Sequence, residues 1–266
     1  EPGRAPTTKS YMWVCRGGAP DRPVFLYHYD PSRSAKVARD LLGGYSGIVQ
    51  TDGYKGYDFL DAASDSVHVG CWAHARRKFV EAQKGRGKSK KAGSVEIALG
   101  YIHKIYAVEK EATRKHLSPS ERMDLRREKS KAILEDFYQW LNKKSAQVTP
   151  KSLLGKAVSY TLNQWQRLEA FLDHPDVTPD NNLAENAIRP FVVGRKNWLF
   201  SGTVDGAQAS AALYSLIETA KANNLEPYKY FRFLFERIPF VESSEEYRAL
   251  LPTSLKDEDL VIPDTA

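Results

Sequence analysis

Gly47-Ile48-Val49-Gln50-Thr51-Asp52-Gly53-Tyr54 reads as a short apolar strand that ends on a carboxylate, with Gly53 turning the chain directly after it. Upstream, 10–16 and 23–29 are β-branched and aromatic and predict two more strands, with Gly17-Gly18 and Asp21 marking the turn between them. A helix is expected over 34–42, stopped by Gly43-Gly44, and Asp30 is placed to cap it. Downstream, a helical segment over 55–62 leads to a strand over 67–71. The order strand, strand, helix, strand, helix, strand predicts an α/β protein.

Past Cys71 the pattern becomes helical. Helices are expected over 72–83, 94–116, 118–142 and 150–173, with a basic linker over 84–91. Ser118-Pro119-Ser120-Glu121 is a capping signal, and Ile133, Phe137, Trp140 and Leu141 recur at helical spacing as core. Thr178-Pro179-Asp180 opens a further helix that carries Glu185. Trp198 to Thr203 reads as extended, 207–223 and 227–238 as helices, and the chain from 241 as a loosely attached tail.

A hydrophobic fraction of 42% is ample for a packed core. The net charge of +6 is mild, but its distribution is not. Residues 84–144 hold 16 Lys/Arg against 8 Asp/Glu, whereas 241–266 hold 2 against 7. A basic middle suits a phosphate-facing surface, or else a charged helical face. Cys15 and Cys71 are the only cysteines, which fits a reducing cytoplasm better than a disulfide scaffold. No apolar run is long enough to span a membrane.

A strand-end Asp52 and a helical Glu185 can converge on a pair of divalent ions, a geometry suited to attack of water or a 3′-hydroxyl on a phosphodiester. Asn182, Glu185 and Arg189 lie at i, i+3 and i+7 and so share one helical face, placing amide, carboxylate and guanidinium together; the alternative is a surface ion pair. His68, Cys71 and His74 have zinc-like spacing, but they lack an adjacent fourth ligand, and His68 and Cys71 fall on opposite strand faces. His74 reads either as a neighbour of the reacting phosphate or as a capping or core histidine. Arg76, Arg77 and Lys78 lie next to the presumed catalytic edge, and Lys88, Lys90 and Lys91 form the basic linker. Arg195 and Lys196 can pair with phosphates; Trp198 can stack on an unpaired base or fill a core.

Five segments occur in order: Ser10-Tyr11-Met12-Trp13-Val14, Gln50-Thr51-Asp52-Gly53-Tyr54, Cys71 to Phe79, Asn182 to Pro190, and Gly194 to Gly202. Together they resemble the bacterial DDE transposases of insertion-sequence family 66. The resemblance implies an RNase H-like mixed sheet with an all-α insertion and a helical C-terminal region. It divides the chain into 1–83 and 177–240 as the core, 84–176 as the insertion and 241–266 as an acidic tail. It makes Asp52 and Glu185 catalytic metal ligands, and puts the family's first catalytic Asp on an opening strand upstream of Glu1. Two Mg²⁺ ions, with Mn²⁺ as substitute, are the implied cofactors. Double-stranded DNA of transposon ends and target is the implied substrate, with a homo-oligomer on the DNA and accessory proteins of the same element as partners. The implied reaction is cleavage at the element end, then strand transfer. This chain alone is expected to be inactive. The rival is a catalytically dead DNA-binding remnant.

Overall fold

The computed structural model describes residues 5, 8–85, 93–198 and 201–260. The chain divides into two units, Glu1–Arg33 with Leu183–Ala266, and Ser34–Asn182. In the first unit β1 (Tyr11–Ala19) and β2 (Arg22–Asp30) form an antiparallel hairpin, in register from Tyr11 opposite Asp30 to Ala19 opposite Arg22. The strands run past the expected Gly17-Gly18 turn to a two-residue turn at Pro20-Asp21. Gly18 sits at φ 85° inside the hairpin, where a Cβ would lie 2.3 Å from the Arg22 carbonyl oxygen. Asp30 does not cap the next helix. Its Oδ1 accepts from the Ser32 N–H at 2.6 Å, a local turn, and Ser34 occupies the N-cap position.

Within Ser34–Asn182, α1 (Ala35–Leu42) is followed by β3 (Gly47–Gln50) and β4 (Ser66–Val69), joined through a 3-10 segment, Lys55–Ala62. The two strands are parallel, Gly47 opposite Ser66 and Gln50 opposite Val69. Six helices come next: α2 (Trp72–Gly85), α3 (Ser94–Arg114), α4 (Pro119–Leu125), α5 (Lys131–Ser145), α6 (Leu153–Asn163) and α7 (Trp165–Glu169). All but α4 share one core with β4, built on Val69, Trp72, Phe79, Ile102, Phe137 and Leu168, while Leu125 of α4 is buried in a separate cluster with Val108 and Ala112 of α3. Each such side chain contributes roughly 1.5–3 kcal/mol by burial. Trp72 centres it, stacked on Phe137 at 6.1 Å, edge-on to Trp165 at 5.8 Å, its indole N–H donating to the Leu168 carbonyl at 2.8 Å. The helix expected over 118–142 is interrupted by a π-helical turn, Arg126–Ser130. That over 150–173 is α6, α7 and a 3-10 turn, Ala170–Asp173.

The chain continues through α8 (Asn182–Ala187), α9 (Arg189–Trp198), α10 (Val204–Ala222), α11 (Pro227–Arg237) and α12 (Ser244–Ala249). α10 packs against β2 in an unusual way. Ser215 Oγ accepts from the Tyr27 N–H at 2.8 Å, Thr219 Oγ1 from the Phe25 N–H at 3.0 Å, and Asn223 Nδ2 donates to the Pro23 carbonyl at 2.9 Å. A helix thus satisfies the strand edge that another strand would otherwise pair. In place of one mixed sheet, the described residues form two sheets of two strands. Trp198, expected in an extended segment, ends α9, and residues 199 and 200 lie outside the described residues. The acidic tail is not loose over its described part. Leu250 and Leu260 are buried beside Leu225 and Tyr230, whose hydroxyl donates to the Leu250 carbonyl at 3.1 Å.

Candidate active site

Parallel strands end side by side, and the C-terminal edge of a parallel sheet is where α/β proteins commonly bind ligands. Here the ladder runs one residue beyond β3, with the Thr51 N–H donating to the Val69 carbonyl at 3.0 Å. Asp52 comes next, half-buried, its Oδ1 accepting from the Tyr54 N–H at 3.0 Å. Gly53 makes this turn at φ 77°, directly beneath the Tyr160 hydroxyl, which a Cβ would meet at 2.6 Å. Burial, followed by the charges of Cys71 and Asp52, pushes the Tyr160 phenol up to about 12, so it remains a protonated donor at neutral pH. Gly53→Ala is expected to cost about 1–3 kcal/mol through backbone strain and the clash with Tyr160. Chemical denaturation would register this as a lower midpoint, and an unchanged midpoint would mean that the turn tolerates a side chain.

Beneath Asp52 lies a polar relay. Thr51 Oγ1 is 2.8 Å from His68 Nε2, and His68 Nδ1 is 2.7 Å from Asp61. Since a carboxylate only accepts, Nδ1–H donates to Asp61, and Nε2 accepts the Thr51 proton. Arg167 closes the chain with Nε to Asp61 at 3.0 Å and a terminal nitrogen to Asp58 at 2.8 Å. Both ring nitrogens of His68 are thereby used, which removes it from a zinc site with Cys71 and His74. Burial lowers the His68 pKa from 6.5; the hydrogen bond to Asp61 opposes this, and the Arg167 charge adds to it. Burial would raise Asp61, but hydrogen bonds from Arg167 and His68, together with the Arg167 charge, hold it below the usual range.

A pH dependence follows. With its folded pKa below the unfolded value, His68 contributes stability that is full above about pH 6.5 and is lost as pH falls through the folded pKa. The melting temperature is expected to decline below that pH, and His68→Gln to flatten the decline. A slope equally steep in the variant would assign it to another group.

Three hydrogen bonds pin Thr178–Asn182 to this sheet edge, and a fourth, from Gln50, runs along the edge itself. The Gln50 side-chain amide donates to the Gly70 carbonyl at 3.2 Å and the Thr178 carbonyl at 2.8 Å. The Trp72 N–H donates to the Pro179 carbonyl at 2.9 Å, and the Asn181 N–H to Cys71 Sγ at 3.5 Å. The preceding loop is held by Arg126, 0% exposed, which donates to the carbonyls of Phe171, His174 and Val177 at 2.6, 2.9 and 2.8 Å. Glu109 accepts from the same guanidinium at 2.7 and 2.8 Å.

Of the residues expected from sequence, Asp52, His74, Arg76, Arg77, Lys78 and Asn182 lie in the Ser34–Asn182 unit. His74 is half-buried on the first turn of α2, 3.3 Å from the Arg77 guanidinium. Arg76, Arg77 and Lys78 are exposed, and Lys78 approaches Glu81 at 3.9 Å. Glu185 is half-buried on α8 and Arg189, Arg195, Lys196 and Trp198 are on α9, all within the other unit. There, the buried Tyr27 hydroxyl donates to the carbonyl of Ala187, the last residue of α8. The continuous face of Asn182, Glu185 and Arg189 does not form, because α8 stops at Ala187 and Arg189 starts α9. Pro190 is the reason: it lacks the N–H that would bond to the Asn186 carbonyl. Lys88, Lys90 and Lys91 lie outside the described residues. Sequence reading missed Tyr160, Arg167 and Arg126, which come from helices far along the chain, and Asp61, which the 3-10 segment Lys55–Ala62 brings to His68.

Residues 1–209 match the Transposase IS66 family, and residues 215–253 match the IS66 C-terminal element. The chain belongs to the IS66 family of DDE transposases. Three similar curated proteins come from Sinorhizobium fredii (strain NBRC 101917 / NGR234). Uncharacterized protein y4qI is 32% identical over 97% of this chain and 49% of its own length. Uncharacterized protein y4hP is 32% identical over 87% and 44%, and Uncharacterized protein y4jD 31% over 98% and 52%. This IS66-family chain therefore spans about half the length of these relatives. No solved structure matches it. Among the described residues, no helix is long and apolar enough to cross a membrane.

Proposed function

We propose that this chain carries catalytic residues of a DNA transposase that cleaves the ends of its element and joins them to target DNA. Asp52 and Glu185 are its metal-binding carboxylates in this reading, set in an RNase H-like fold. The observation that carries it is the anchoring of Thr178–Asn182 to the sheet edge that presents Asp52. Glu185 follows this anchored segment by three residues in the sequence.

The donor set fits a hard divalent ion, since Asp52 and Glu185 offer carboxylate oxygens, the ligands Mg²⁺ prefers. When bound, such ions supply acidification of the attacking hydroxyl and charge stabilisation at the leaving oxygen. The chain's own residues do the rest. The Tyr54 N–H and the Thr51–His68–Asp61 relay fix the turn on which Asp52 sits. Tyr160 presents a protonated hydroxyl at that turn. Arg76 and Arg77, exposed on α2, and Arg195 and Lys196, exposed on α9, are the cations proposed to meet phosphates.

Double-stranded DNA of element ends and target is the proposed substrate, on which the protein acts as a homo-oligomer with accessory proteins of the same element. The test is incubation of the whole protein with a labelled element-end duplex, a supercoiled plasmid and Mg²⁺. Joined duplex–plasmid products are expected. Cleavage without joining would reduce the activity to that of a nuclease, and binding with neither would favour a DNA-binding remnant.

A further inference from the structure

A cleft of about 600 Å³ opens beside the first turns of α2 and the middle of α3, wholly within Ser34–Asn182. Its walls offer three chemistries. Leu99 and the Tyr106 ring are apolar surface. Arg76 and His103, both exposed, are cationic groups, His103 when protonated. Asp180 and Asn182 supply hydrogen-bonding groups, and both belong to the segment that is pinned against the β4 edge. At Gly100 nothing lies within 4 Å of the position a Cβ would take, so the α3 wall is open. Burial, the hydrogen bond to Asp180 and the Asp180 charge all raise the Tyr106 pKa, which leaves a neutral phenol tied to that carboxylate.

The volume falls within the range of about 300–1,000 Å³ that small-molecule sites occupy. An apolar side chain and an aromatic ring, hydrogen-bonding groups and an exposed arginine match the three parts of a nucleotide. A paired base exposes neither its stacking face nor its pairing edge, whereas an unpaired one offers both. We propose that this cleft takes a single unpaired nucleotide of the DNA end, its base over Leu99 and Tyr106, its edge toward Asp180 and Asn182, and its phosphate on Arg76. The inference rests on the DNA-processing reading above and names the form of DNA that the site holds.

The test compares two probes of arbitrary sequence, a short blunt duplex and the same duplex with a two-nucleotide 3′ overhang containing 2-aminopurine. Binding of the whole protein is read by anisotropy and by 2-aminopurine emission. One stacked base is worth about 1–3 kcal/mol, so the overhang is expected to bind at least about fivefold more tightly. Gly100→Gln, which fills the cleft from a helical position where Gln is a better helix former than Gly, is expected to bring the ratio close to one and abolish the emission change. Arg76→Gln, an exposed substitution, is expected to lower overhang affinity and reduce its salt slope by about one. Equal affinity of the unmodified protein for both probes would overturn the proposal, as would a preference that survives both substitutions, in each case with DNA binding intact. Failure to bind either probe would overturn the DNA reading itself.

Discussion

Arg126→Met is expected to lower the stability of the Ser34–Asn182 unit by about 3–5 kcal/mol, the usual cost of breaking a buried ion pair from one side. Arg126 is 0% exposed and Glu109 8%, so removal of the guanidinium leaves a nearly buried carboxylate paired with Arg122 at 3.4 Å. It also strips the Phe171, His174 and Val177 carbonyls of their donor and the Phe171 ring of a cation 5.0 Å from its centroid. A loss of this size is a large part of the 5–15 kcal/mol typical of a folded domain. The double variant Arg126→Met with Glu109→Leu is expected to recover the share due to the unpaired carboxylate, because a buried ion pair replaced as a whole by apolar groups is often neutral, while the three carbonyls still lack their donor. Urea denaturation reads both effects. Amide hydrogen exchange over 174–177 is expected to quicken in the single variant, since Arg126 is what holds that loop. A single variant within about 1 kcal/mol of the original would show that water can replace the clamp.

Asp52→Asn is expected to reduce Mg²⁺-dependent cleavage by roughly three orders of magnitude or more while DNA affinity stays within about twofold. The arithmetic is direct: metal charge stabilisation is worth several kcal/mol, and each 1.4 kcal/mol is tenfold in rate. Asn keeps the shape of Asp and can still accept from the Tyr54 N–H, so the turn survives and the melting temperature is expected to move little. What it loses is the anionic oxygen that a hard cation requires. Cleavage at the original rate would remove Asp52 from the chemistry, whereas a large drop in melting temperature would mean that its role is in the turn.

The sequence carried the local elements well where period and punctuation agreed. Ile48-Val49 with Gly53 gave β3 and its turn, and Ser118 to Glu121 gave the start of α4, whose capping box is present. Phe137 and Leu141 are buried, with Ile133 and Trp140 packed against the same core. Interactions across the chain were not legible. Arg126 looked like one more cation in a basic stretch, yet a π-turn, which no periodicity announces, coincides with its burial among backbone carbonyls. Counting it toward a phosphate-facing surface overstated that surface. From spacing alone His68 reads only as a zinc ligand, because its partners Thr51 and Asp61 are identified by strand register and by the 3-10 turn. Pro190 could have warned against one helical face running from Asn182 to Arg189, since proline removes an interior helix hydrogen bond.

In the proposed reaction Asp52 and Glu185 act as one metal site. The direct measurement is Mn²⁺ binding to the whole protein by electron paramagnetic resonance titration, for the unmodified chain, Asp52→Asn, Glu185→Gln and the double variant. Each single substitution is expected to weaken binding at least about tenfold, with the double variant little worse than either, because residues that share partners are not additive. Original affinity in either single variant, or losses that simply add in the double, would contradict a shared site.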